Sequence, residues 1–220
     1  MSDTAMQNGA VGRVSPATLL ALLGNRSIVL VGMMGVGKSS LGRKLAAQLG
    51  APFLDADEEI EKAAQMSIPE IFERHGEAFF RDGERRVIAR LLGADVGASD
   101  HRLPLPAHAP SKGVKVIATG GGAFCNTETR ALILDKAIAV WLDADLDTLV
   151  ERTARKDNRP LLRQGNPRDI LGQLKDQRAP FYAEAPIRVM SGHAPHAKTL
   201  SRLFAAFDKW LPAQPATTGS

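Results

Sequence analysis

The run Gly32-Met33-Met34-Gly35-Val36-Gly37-Lys38-Ser39 matches the pattern G-x-x-x-x-G-K-[ST]. Glycines at that spacing let the chain turn so that successive N–H groups point inward at phosphate oxygens. A helix starting near Lys38 would add its positive N-terminal end. The Lys38 ammonium then reaches the β- and γ-phosphates of a nucleoside triphosphate, and the Ser39 hydroxyl ligates Mg2+. With glycine near 7% of residues, chance produces such a match in about one chain in a hundred of this length. Gly35, Val36, Gly37, Lys38, Ser39 and Ser40 are therefore the candidate nucleotide-binding residues.

A phosphate loop does not name the acceptor. Downstream, Phe53-Leu54-Asp55-Ala56-Asp57 ends an apolar run in two carboxylates. In an extended chain Asp55 and Asp57 face the same way. Beside a triphosphate, one carboxylate can serve Mg2+ and the other an acceptor hydroxyl. Asp55 lies nearer the run and is the better Mg2+ partner, directly or through water. Asp57 could orient the hydroxyl and take its proton, as general base or as orienter only. The bland alternative is a solvated acidic helix start, which Glu58, Glu59 and Glu61 fit. Thr119-Gly120-Gly121-Gly122 offers backbone that a ligand can approach closely, or a plain tight turn. Arg81 stands among aromatics in Phe79-Phe80-Arg81. No N-K-x-D guanine motif is present, and a translocating ATPase is usually longer. The residues point to a small phosphotransferase.

Five short apolar runs have strand length: Ser27–Val31, Phe53–Leu54, Val114–Ala118, Ile138–Leu142 and Ile187–Met190. Helical patterns lie between them. Leu41, Leu45 and Leu49 mark one face, with Gly50 as C-cap. Ser67-Ile68-Pro69-Glu70 reads as a capping box, and Phe80, Val87, Ile88 and Leu91 follow at helical spacing. Ser15-Pro16 and Asn166-Pro167 each read as an N-cap with proline at the first helical position. Leu200, Leu203, Phe204, Phe207, Trp210 and Leu211 outline a last helix. Alternating strands and helices mean βαβ units and a parallel sheet with helices on both faces. Ligands of such sheets bind beyond the carboxyl ends of the strands, which is where the motifs above fall.

The chain has 220 residues, 44% hydrophobic and 24% charged, as expected of a globular protein. Basic residues number 28 against 24 acidic ones, a net charge of +4. That suits small anionic ligands and is too dispersed for a nucleic-acid face. No apolar run approaches the ~18–20 residues of a membrane span. Leu19, Leu20, Leu22 and Leu23 are too short a stretch for a signal peptide. The single Cys125 excludes an internal disulfide and fits a cytoplasmic, reducing compartment. The five histidines, His75, His101, His108, His193 and His196, show no metal spacing.

Taken together, GMMGVGKSSLGR, FLDADEEIE, the FFRDGE stretch, TGGGAF, the RP of DNRPLL and QRAPFYAEA resemble the shikimate kinase family. The resemblance runs from about Ser27 to Leu211. It implies a P-loop, nucleoside-monophosphate-kinase-like fold: three α/β/α layers, a five-stranded parallel sheet, a substrate-binding helical region and a lid. It implies ATP-dependent phosphorylation of the shikimate 3-hydroxyl with Mg2+, by a monomer needing neither nucleic acid nor membrane. By position, Asp57, Arg81, Gly120, Gly121 and Arg178 would bind shikimate, the arginines gripping its carboxylate. Lys38, Asp57 and Arg159 would be catalytic, Arg159 being the lid arginine on the ATP phosphates. Arg152 would pack against adenine, and Ser39 and Asp55 would serve Mg2+. A leader (1–26, partly flexible) precedes a kinase domain (27–211), followed by a flexible tail (212–220). Within the domain the expected parts are a substrate-binding region (about 55–92), an excursion loop (93–113) and the lid (about 152–168). A gluconate-type kinase would share the P-loop but should lack the Arg81, Arg178 and Gly121 set. A module without catalysis should have lost Lys38, Asp57 or Arg159.

Overall fold

The computed structural model describes residues 14–94, 113–154, 165–192 and 196–211. In chain order the elements are α1 (Pro16–Leu23), β1 (Ser27–Val31), α2 (Lys38–Leu49), β2 (Phe53–Asp55), α3 (Ala56–Ala64) and α4 (Ile68–Leu91). Then come β3 (Val116–Ala118), a 3-10 turn (Ala123–Cys125), α5 (Thr127–Lys136), β4 (Ala137–Asp143) and α6 (Leu146–Ala154). The chain continues through α7 (Pro167–Tyr182), β5 (Ile187–Met190) and α8 (His196–Trp210).

The five strands form one parallel sheet in the order β2-β3-β1-β4-β5. The central strand β1 is buried at every residue, as a strand covered on both faces must be. The edge strand β5 alternates buried and exposed side chains instead. Helices α2 and α8 pack together on one side of the sheet, and α5 lies against β4 on the other with α4 beside it. Burial of Ile28, Leu30, Val140, Leu142, Leu41, Leu45, Ile88 and Phe124 between these layers supplies the main driving force.

All five apolar runs become strands, two with the expected ends and three with ends shifted by a residue or two. Val114 and Lys115 precede β3 rather than belong to it, although the Lys115 carbonyl still accepts from Ile28 N at 2.8 Å. The caps are as the residue types require. Ser15 accepts from Thr18 N, Asn166 from Arg168 N, and Gly50 closes α2 with φ 61°. Ser67 and Glu70 bond reciprocally, a box typically contributing about 1 kcal/mol. Helix α4 is interrupted at Gly76, whose φ 80° and ψ 176° lie outside the helical region. A side chain there would be strained, so glycine makes the kink that re-aims the second half of α4. Lys115, buried, donates to the Leu91 carbonyl at 3.1 Å and ties the end of α4 to the sheet.

Register sets the level of the site. Asp55 is aligned with Ala118, and Ala118 with Leu30. The segments that leave β1, β2 and β3 at their carboxyl ends therefore emerge side by side.

Candidate active site

The phosphate loop leaves β1 at Gly32, which has φ 133°. A methyl on that residue would stand 2.2 Å from the Leu142 carbonyl oxygen, so only glycine fits against β4. Lys38 opens α2 and folds back over the loop, donating to the carbonyls of Gly32 at 2.7 Å and Met33 at 3.0 Å. Ser39 follows it in the first turn and donates to Asp55 Oδ2 at 2.6 Å. Gly35, Val36 and Gly37 form the turn between them, and Ser40 is exposed on α2. Arg152 braces the loop from behind: its guanidinium donates to Val36 O at 3.0 Å, Ser191 Oγ at 3.1 Å and Gly192 O at 2.6 Å.

Asp55 and Asp57 do come together, for a reason other than strand alternation. Strand β2 ends at Asp55, and Asp57 already lies in the first turn of α3. Asp55 is the N-cap, its Oδ1 accepting from Asp57 N at 3.1 Å while its other oxygen holds Ser39. The carboxylate pair is thus a helix start held against the first turn of α2 by Ser39. Ser39 and Asp55 form a small hard-oxygen set of the kind Mg2+ uses when phosphates and water complete its shell. Among the described residues there is no cluster of three or more His, Cys, Asp or Glu that could cage a metal alone.

Strand β3 delivers Thr119, whose N–H and hydroxyl both bond the Leu30 carbonyl at 3.2 Å, and then three glycines. Each glycine faces a different charged group. A methyl at Gly120 would lie 2.6 Å from Glu84 Oε1 and 2.8 Å from Asp57 Oδ1. One at Gly121 would lie 3.3 Å from Arg178 Nη1 and 3.3 Å from the phosphate-loop Met34 N. One at Gly122 would lie 2.8 Å from Arg81 Nη1. The turn is the hub on which α3, α4, α7 and the phosphate loop converge.

The electrostatics match that convergence. Asp57 Oδ1 and Glu84 Oε1 are buried acceptors without a protein partner. Burial, with Asp55 and Glu84 adding to it and Lys38 opposing, pushes the Asp57 pKa from 3.8 up to about 6. Burial also raises Glu84, against the pull of Arg81. Arg81 Nη1 donates to Glu84 Oε2 at 2.8 Å, and its other nitrogens reach Glu77 Oε1 at 3.2 and 3.3 Å. Helix α7 carries Arg178 and is clamped one turn earlier by Lys175, which donates to Ala144 O at 2.5 Å and pairs with Asp143 at 3.3 Å. Such a pocket offers two arginines for a carboxylate and two unpaired acceptors for hydroxyls, next to a triphosphate cradle.

Residues 34–98 and 107–207 match the family model described as Shikimate kinase. The chain belongs to the shikimate kinase family. It is 61% identical over 186 residues to a shikimate kinase of Novosphingobium aromaticivorans, covering 84% of this chain and 89% of that protein. It is 46% identical over 215 residues to one from Rhodopseudomonas palustris, covering 98% and 97%. Among solved structures, shikimate kinase from Acinetobacter baumannii in complex with shikimate superposes with TM-score 0.69 and 36% identity, over 82% of this chain and 91% of that one. The nucleoside-monophosphate-kinase-like α/β fold expected of the family is the fold observed.

In this shikimate kinase family member the structure gathers Lys38, Ser39, Asp55, Asp57, Arg81, Gly120, Gly121 and Arg178 at one end of the sheet. Arg159 lies outside the described residues, as do most of the lid, residues 95–112 of the excursion loop, 1–13 of the leader and the tail 212–220. One residue of the hub carries no role in the sequence reading, Glu84, and Gly122 figures there only as part of the glycine turn. Glu84 is three residues beyond Arg81 on a helix, the spacing of an ion pair. That signal is present in FFRDGE, but its burial to 2% exposure is not.

Proposed function

We propose that this protein transfers the γ-phosphoryl group of ATP to the 3-hydroxyl of shikimate, giving shikimate 3-phosphate and ADP in aromatic amino acid biosynthesis. The observation that carries the reading is the glycine turn. Gly120, Gly121 and Gly122 bring Asp57 with Glu84, Arg178 and Arg81 to one place, beside the phosphate-loop backbone.

The phosphate-loop amides and Lys38 bind the phosphates, Lys38 exchanging its bonds to the Gly32 and Met33 carbonyls for phosphate oxygens. Arg152 keeps the loop in place with its guanidinium edge, which leaves the flat face of the group for a base. Arg81 and Arg178 grip the substrate carboxylate. Glu84 holds Arg81 in position through their 2.8 Å bond. The unpaired oxygens of Asp57 and Glu84 accept from ring hydroxyls. Asp57 orients the attacking hydroxyl and, with a pKa raised to about 6, can take its proton near neutral pH. Ser39 and Asp55 would hold Mg2+, which when bound neutralises charge on the β- and γ-phosphates. Arg159, on a lid spanning about 152–168, would add positive charge to the phosphates and help exclude water. The same reading makes the enzyme a cytoplasmic monomer without nucleic-acid or membrane partners. Its support is the single cysteine and the mild charge of +4. No described helix is long and apolar enough to cross a membrane.

The test is a coupled ADP-release assay with ATP, Mg2+ and shikimate, each omitted in turn, and gluconate as an alternative acceptor. Release that needs all three supports the reading. Release indifferent to shikimate, or faster with gluconate, refutes it.

A further inference from the structure

Tyr182 closes α7 and is 1% exposed. Its ring packs near Trp141, with centroids 5.9 Å apart, and its hydroxyl lies 3.9 Å from Met33 Sδ. A phenylalanine would fill the same space without bringing a polar atom into it. A buried hydroxyl is costly unless it is bonded. This one donates to the Gly121 carbonyl, and it does so from α7, one turn beyond Arg178.

We propose that Tyr182 is a positioning residue that ties the turn of α7 carrying Arg178 to the glycine turn, so that the carboxylate-binding arginine and the substrate platform are set together. Gly121 is where this matters most. Its Cα points between Arg178 Nη1 and Met34 N, each 3.3 Å from where a methyl would be. The peptide is thus a thin spacer between the arginine and the phosphate loop, with no side chain of its own to fix it. The tyrosine bond on its carbonyl fixes it from behind. Burial pushes the phenol pKa well up, so the hydroxyl keeps its proton for Gly121 throughout the neutral range. One turn before Arg178, Lys175 anchors the same helix at Ala144 and, on β4, Asp143. Lys175 fixes the helix to the sheet on one side of Arg178, and Tyr182 fixes it to Gly121 on the other.

This rests on the shikimate reading of the pocket. The experiment compares wild type, Tyr182→Phe, Arg178→Lys and the double variant by steady-state kinetics and thermal melting. Tyr182→Phe should raise KM for shikimate on the order of tenfold, the effect of leaving the buried Gly121 carbonyl without its donor. KM for ATP should stay within about twofold, because the bonds of Lys38 to the loop do not pass through Tyr182. The double variant should have the shikimate KM of Arg178→Lys alone, since the tyrosine acts through the arginine. An unchanged shikimate KM in Tyr182→Phe overturns the proposal. So does additivity with Arg178→Lys, an equal rise in both KM values, or loss of fold, each of which assigns the hydroxyl to the core. Wild-type enzyme that does not phosphorylate shikimate would instead overturn the functional reading on which this stands.

Discussion

Asp57→Asn should make the protein inactive and more stable at the same time. Burial is the largest influence on Asp57; with the neighbouring acids it lifts the pKa from 3.8 to about 6 despite the attraction of Lys38. Between those two values the folded protein holds a proton that the unfolded chain has released. The contribution of this group to stability is therefore greatest below pH 3.8, falls as pH rises through the window, and is flat above about 6. Each pH unit crossed is ~1.4 kcal/mol, so the full window amounts to about 3 kcal/mol. The carboxyl retains some contact with solvent, which reduces this to about 2 kcal/mol. An asparagine has no charge to desolvate at any pH. In a chain of this size, about 2 kcal/mol raises the melting temperature by ~4–8 °C.

Two measurements check this. Melting curves of wild type and Asp57→Asn from pH 4 to pH 8 should show the variant higher at pH 7.5, with the gap closing toward pH 4. The coupled ADP assay should show turnover reduced ~10²–10⁴-fold, the usual loss when a general base is removed. In the wild type, kcat/KM for shikimate should fall with unit slope below about pH 6, because the carboxylate is the working form. A variant less stable than wild type at pH 7.5, or a gap independent of pH, would refute the desolvation argument. Turnover within tenfold of wild type would remove Asp57 from the chemistry.

Gly120→Ala should leave the fold intact and raise KM for shikimate ~10–100-fold, since its methyl would stand 2.6 Å from Glu84 and 2.8 Å from Asp57. Melting temperature and substrate titration check the two halves of that statement. Glu84→Gln should raise KM for shikimate about tenfold with kcat little changed, because Arg81 loses the carboxylate that orients it at 2.8 Å. Ser39→Ala should raise the Mg2+ concentration for half-maximal turnover about tenfold or more, read from metal titrations at saturating ATP.

The fold was legible because its signals are local. Alternating apolar runs and capped helical patterns mark every strand, and Ser15, Ser67 and Asn166 announce helix starts by their own hydrogen-bonding chemistry. The phosphate loop was legible for the same reason: its glycines and Lys38 act within a few residues of one another. The acceptor side was legible only as disconnected fragments. Nothing local says that Arg178 approaches Gly121, or that Arg81 lies against Gly122, since those contacts arise from the strand order. Residue type also conceals burial. Glu84 reads as one more charged residue of a solvated helix, yet the kink at Gly76 turns it into the interior.

The unpaired oxygens explain why the glycines must come in a row. An acceptor left unsatisfied in a protein interior costs about 1–3 kcal/mol, and here two stand together at Asp57 and Glu84. A fold selected for stability alone would cover them with a donor side chain from the nearest backbone, and that backbone is Gly120. Glycine there prevents it. Gly121 and Gly122 do the same beside Arg178 and Arg81, the arginines proposed for the substrate carboxylate. The turn after β3 therefore withholds three side chains, and in the function proposed above the hydroxyls and carboxylate of the substrate restore what the protein leaves unmet. Binding energy and instability are then the same quantity seen from two sides, which is why removing the Asp57 charge should strengthen the fold as it ends the reaction.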